Sequence, residues 1–201
     1  EGFFEDMIGR GLRQPLLIVS DGAKGVIRAI SQCFPKAQRQ RCIAHKIRNI
    51  LTKVPMKVEK EIKGRIKSIY YAPDRETADA LSAKFISDYA EQFPAMIKCF
   101  TDDLSACLTH LEYPEGHRRS IRTTNLIERA FVEEKRRTKI IPQHAHEKGA
   151  IGLVFSVLIR ASLSWRKVNM NELDIQILKH IRKFISPESA ESELISYKLS
   201  A

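Results

Sequence analysis

The stretch PLLIVSDGAKGVIRAISQCFPKAQRQRCIAHKIRNIL, residues 15–51, decides the fold. Leu16–Val19 is an unbroken apolar run between Pro15 and Gly22, the pattern of a strand buried on both faces. Val26, Ile30 and Cys33, with Ala29 and Phe34 beside them, recur at helical spacing, and Pro35 stops that helix. AQRQRCIA (37–44) then reads as a second strand, and HKIRNILTKV (45–54) as a helix halted before Pro55. Upstream, FFEDMIGRGL (3–12) reads as a short helix ending near Gly9–Gly11. Helices alternating with two strands imply an α/β layer with a parallel pair.

Beyond Pro55 the pattern is helical. MKVEKEIKGRIKSIYY (56–71) is one helix, and RETADALSAKFISDYAEQF (75–93) is another with Asp74 as its N-cap. Pro94 opens a further helix through AMIKCFTDDLSACLTHL (95–111). YPEGHRRSIRTTN (113–125) reads as a loop and LIERAFVEEKRR (126–137) as a helix. EKGAIGLVFSVLIRASLSW (147–165) is a strong amphipathic helix, with Ile151, Val154, Leu158, Ala161 and Trp165 on one face. A last helix is expected near MNELDIQILKHIRKF (170–184), followed by a polar, frayed tail.

The balance of 43% apolar and 29% charged residues in a chain of 201 is that of a globular domain. No apolar run is long enough for a membrane helix, and no signal peptide is visible, so a cytoplasmic protein is expected. The chain does not begin with Met, so its first residue is not taken as the start of a gene product. Cys33, Cys42, Cys99 and Cys107 show no paired CxxC spacing and read as reduced thiols. The net charge of +10 is unevenly spread. Residues 39–67 carry ten Lys/Arg against two Glu, and residues 117–139 carry eight against three. Between them, residues 74–115 hold nine acids against three bases. Two basic segments flanking an acidic one suit a phosphate backbone, although each also reads as a solvated helix face.

Asp21 follows the apolar strand, at the carboxyl rim where open α/β sheets bind ligands and ions. Asp-Gly is equally a turn signal, and Asp21 an ordinary cap. Glu128, three residues after Asn125, fits a variant capping box, and it fits equally a carboxylate opening a functional helix. Lys135, seven residues on, falls on the same helical face. Cys42 and His45 have the spacing of half a zinc site, but the remaining Cys and His supply no second pair with suitable spacing, so zinc is not expected.

Three blocks together carry a resemblance: SDGAKGV (20–26), QRCIAHKIRNIL (40–51) and HRRSIRTTNLIERAFVEEKRRTKII (117–141). They resemble the Mutator-type transposases of bacterial insertion sequences, collinearly from Phe3 to about Trp165. The resemblance implies a DDE enzyme, in which an RNase H-like core bears three carboxylates that hold two divalent ions, Mg²⁺ or Mn²⁺. It makes Asp21 the second aspartate, Glu128 the glutamate and Lys135 the basic residue after it. Cys42 and His45 match a signature pair of structural or positioning role. From charge, Lys46, Arg48, Arg122, Arg129, Arg136 and Arg137 are candidate DNA contacts.

The resemblance also sets a domain plan. Residues 1–54 begin a partial RNase H-like core, 55–113 form an all-helical insertion, 114–169 complete the core with the Glu128 helix, and 170–201 hold a last helix and tail. The family's first aspartate lies upstream of FFEDMIGRGL, and Asp6 does not replace it. The chain alone is therefore expected to be inactive, with an apolar strand edge exposed. The expected partners are transposon-end and target DNA and further copies of the chain. The alternative is a non-catalytic DNA-binding or regulatory remnant.

Overall fold

The computed structural model describes residues 2–139, 146–165 and 168–185. The chain divides into two compact units, Glu1–Thr123 with Met170–Ala201, and Thr124–Asn169.

The larger unit opens with α1 (Gly2–Gly9), β1 (Leu17–Ser20), α2 (Lys24–Cys33), β2 (Gln38–Arg41) and α3 (Ile43–Leu51). β1 and β2 are parallel, as the sequence predicts, with Leu17 opposite Gln38 and Ser20 opposite Arg41. The ladder runs one step past β2, because the Cys42 N–H donates to the Ser20 carbonyl at 2.8 Å. Ala29 and Ile30 form the buried side of α2, and the Phe4 ring of α1 meets Phe34 edge-on at 5.4 Å.

The main core lies among helices. α4 (Met56–Tyr70), α5 (Arg75–Tyr89), α6 (Pro94–Thr101) and α7 (Leu104–Leu108) follow α3, and a 3₁₀ turn covers Thr109–Glu112. Ile43, Ile47 and Ile50 of α3 meet Ile62, Ile66 and Ile69 of α4, with Phe85 and Phe100 closing the far side. Each such side chain contributes about 1.5–3 kcal/mol on full burial. Asp74 caps α5 by accepting from the Thr77 N–H at 2.8 Å, and Pro94 opens α6. The continuous helix expected after Pro94 is instead broken. Asp103 adopts a left-handed conformation (φ 63°), and its carboxylate is held by Arg39 at 2.5 Å.

The segment 113–125, expected to be a loop, contains α8 (Glu115–Ile121). Pro114 starts it, Glu115 lies in its first turn, and Arg118 and Arg119 lie in its last, a charge order that suits the helix dipole. Arg118 also fastens the helix by donating to the carbonyls of Pro73, Leu111 and Tyr113. A loop reading weighted by Pro, Gly and polar content could not include these tertiary acceptors. α11 (Glu172–Ile185) returns to the larger unit, where Ile181 and Ile185 join Tyr113, Leu16 and Leu17 in a second small core.

The smaller unit pairs α9 (Asn125–Thr138) with α10 (Glu147–Ser162). Val157 of α10 is buried and Val154, Leu158 and Ala161 are half-buried. Ile151 and Trp165, expected on the same face, are exposed, and Trp165 lies beyond the helix end. The polar tail, residues 186–201, lies outside the described residues. Among the described residues no helix is long and apolar enough to cross a membrane.

Candidate active-site residues and the family of the chain

Asp21 stands one residue past the carboxyl end of β1, where the backbone turns toward α2. Its Oδ1 accepts from the Ala23 N–H at 3.0 Å, so the turn reading is realised, and the carboxylate stays exposed. The turn depends on Gly22, whose φ of 81° suits glycine. A β-carbon there would also fall 1.8 Å from Arg41 Nη1, because the guanidinium packs against the turn. Arg41 is 6% exposed, and its Nε and Nη1 have no hydrogen-bond partner among the described residues. The sequence reading missed Arg41, because only the parallel register places the end of β2 beneath the Asp21–Gly22 turn.

Cys42 is fully buried and starts α3. His45, one turn on, places Nδ1 3.2 Å from Cys42 Sγ. The Ile43 N–H donates to the Arg122 carbonyl at 3.0 Å, which brings the end of α8 to the start of α3. The larger unit thus gathers Asp21, Cys42, His45 and Arg122 near the carboxyl rim of its strand pair. Lys46 departs from its expected place as a DNA contact. It is 3% exposed, and its Nζ donates to the Asp102 carbonyl, so its ammonium serves the interior. Arg48, two residues on, is exposed. Burial pushes the Asp103 carboxyl up, but the Arg39 hydrogen bond, aided by the charges of Lys46 and Arg41, prevails and holds it below the usual carboxylate range.

In the smaller unit Glu128 lies in the first turn of α9 and is exposed. The N-cap is Thr124, not Asn125, and the Thr124 hydroxyl donates to Glu128 Oε1 at 2.5 Å. α9 is unbroken to Thr138, so Lys135 does fall on the face of Glu128, two turns away. Arg129 is exposed. Arg136 and Arg137 both reach Glu133, at 3.0 and 2.7 Å, and hold its carboxyl below the usual range. With Arg160 of α10 they line a hollow of about 540 Å³. Arg160 is embedded in an apolar helix and carries no sequence signal.

The family profile described as Transposase, Mutator family, matches residues 1–168. The chain belongs to the Mutator transposase family. It is 32% identical over 164 residues to the transposase for insertion sequence element IS6120 of Mycolicibacterium smegmatis, covering 82% of this chain and 51% of that protein. It is 31% identical over 181 residues to the IST2 transposase of Acidithiobacillus ferrooxidans, covering 90% of this chain and 61% of the relative. Identity to the transposase of IS256 in transposon Tn4001 from Staphylococcus aureus is 33% over 165 residues, 81% of this chain and 42% of that one. The chain thus spans about half the length of the curated relatives it matches. Every residue singled out above lies inside the Mutator-family match.

Proposed function

We propose that this chain supplies two of the three carboxylates of a DDE transposase, Asp21 as the second aspartate and Glu128 as the glutamate. The observation that carries the reading is an exposed Asp21 at the carboxyl end of a parallel strand, inside a match to transposases. On this reading the strand pair is part of an RNase H-like core and residues 55–113 are a helical insertion. On this reading the third carboxylate is the first aspartate of the DDE set, and activity requires it together with Asp21 and Glu128.

The donor chemistry fits a hard divalent ion. Asp21 Oδ1 is engaged by a backbone N–H, while Oδ2 makes no hydrogen bond among the described residues. Carboxylate oxygens are the ligands that Mg²⁺ and Mn²⁺ prefer. Such ions, when bound, activate a water or 3′ hydroxyl and stabilise the leaving oxygen of a phosphodiester. The residues themselves have three tasks. Asp21 and Glu128 present oxygens, Gly22 and Arg41 fix where the Asp21 backbone turns, and Lys135 with Arg122, Arg129, Arg136 and Arg137 offsets the charge of the incoming strand. Transposon-end and target DNA are the proposed partners, handled by more than one copy of the chain.

The test is nicking of DNA that carries transposon ends, assayed with Mg²⁺, Mn²⁺ and Zn²⁺. It compares this chain alone with the same chain joined to the upstream segment of a relative, each also as Asp21→Asn and Glu128→Gln. Cleavage by the extended protein only, lost in both variants by at least a thousandfold, is expected. An extended protein that binds DNA but cuts with none of the metals would replace this reading with a non-catalytic DNA-binding module.

A further inference from the structure

The larger unit has a second cationic feature, formed by α3 and α4. A groove of about 530 Å³ runs between these helices. One wall is a stripe spaced by four residues, Lys63 and Lys67 of α4 and Tyr71 just past its end, with Glu59 at the other end. α3 contributes Arg48, and Ile47 and Leu51 form an apolar floor. Among the described residues Arg48, Lys63 and Lys67 form no ion pair, whereas Arg65 on the other side of α4 binds Asp88 at 2.5 Å. Tyr71 is 45% exposed, and the Arg122 guanidinium covers its ring at 4.2 Å from the centroid.

Three unneutralised cations beside an apolar floor and an open ring match one ligand chemistry. A phosphodiester chain satisfies the cations, and an unstacked base satisfies the floor and the ring. A duplex keeps its bases stacked inside and offers the ring nothing, and a uniformly acidic peptide such as polyglutamate leaves the ring and floor uncovered. We infer that this groove holds a single DNA strand, with phosphates on Arg48, Lys63 and Lys67 and a base against Tyr71. Arg122 backs the ring as a cation–π partner, which favours a rigid stacking platform. The inference rests on the proposed function for its partner, DNA, and shares Arg122 with it. It does not depend on Asp21, Glu128 or a metal.

Binding of a fluorescein-labelled oligothymidylate to this chain would be followed by anisotropy at several salt concentrations, against a duplex of equal length and against polyglutamate as competitor. The single strand is expected to bind more tightly than the duplex and to resist polyglutamate. Lys63→Ala with Lys67→Ala should flatten the dependence of log K on log salt by about 1.4, because each phosphate neutralised on a single strand adds roughly 0.7 to that slope. Tyr71→Leu should weaken the single strand about tenfold and leave the duplex unchanged, and Tyr71→Phe should keep the affinity. Circular dichroism would confirm that each variant is folded. The binding assay contains no divalent ion and has no cleavage readout, so a failure of the catalytic reading leaves this result standing. The inference is overturned by unchanged binding in the lysine and Tyr71→Leu variants, by equal weakening for duplex and single strand, or by displacement with polyglutamate.

Discussion

At the scale of single residues, the Asp21–Gly22 turn shows how a two-residue signal acquires a second meaning. Asp-Gly is read as a turn from sequence, and the turn is there, closed by the Ala23 N–H on the Asp21 carboxylate. The glycine meets two separate demands, a φ of 81° and room for the Arg41 guanidinium. Gly22→Ala should therefore lower stability by about 1–2 kcal/mol, since a left-handed alanine is strained and the Arg41 guanidinium must shift to admit its β-carbon. Urea unfolding measures it, and a decrease below about 0.5 kcal/mol would show that the turn relaxes freely. Lys46 gives the reverse lesson. Its charge suggests a DNA contact, but α3 turns it inward onto the Asp102 carbonyl. Charge in a sequence carries no direction until a helix face is assigned to the core.

At the scale of elements, one buried amide joins the strand pair to the helical region. Gln40 of β2 is fully buried. Its Nε2 donates to the carbonyls of Arg41 at 2.7 Å and Cys107 at 3.0 Å, and its Oε1 accepts from the His110 N–H at 2.7 Å. Removing it strands backbone groups of β2, α7 and the 3₁₀ turn without water. Gln40→Leu is expected to destabilise by about 2–4 kcal/mol despite similar volume, with the urea midpoint falling at constant slope. A near-neutral leucine would mean that the elements are held by apolar contact alone. The same packing explains why the helix after Pro94 is not continuous. The Arg39–Asp103 pair and the Gln40 contacts draw α7 onto β2, and the chain must bend at Asp103 to reach it.

For the whole molecule, acid should act through a buried histidine before most carboxylates respond. His110 is 1% exposed, and burial pushes its imidazole down to about 4, against backbone contacts to Tyr70 and Cys107 that favour the charged form. The folded pKa lies below the unfolded value of 6.5, so the unfolded chain takes up the proton first. Stability is full above pH 6.5 and declines as pH falls toward 4, by about 3 kcal/mol across that window. The urea midpoint measured between pH 7 and pH 4.5 should fall, and His110→Gln should flatten the decline. Identical slopes in the two proteins would rule His110 out as its source. Asp74, lowered by its hydrogen bonds from Thr77, loses its contribution only at still lower pH.

The sequence by itself determined the order of elements in residues 15–51, their parallel pairing, the helical character of residues 55–113 and the family. Apolar periodicity, proline stops and collinear motif blocks are local properties, and they survive folding unchanged. It also placed Asp21 at a strand end and Glu128 in a first helical turn. Only the tertiary structure decided that Arg41 lies under Gly22, that Lys46 points inward, that α8 exists, and that Lys63, Lys67 and Tyr71 share a groove with Arg48. Each of these depends on a partner distant in the chain: the register of β2 on β1, the Asp102 carbonyl, the acceptors of Arg118 and the packing of α3 on α4. Side-chain direction follows from which face of an element is buried, and burial is settled between elements rather than within one.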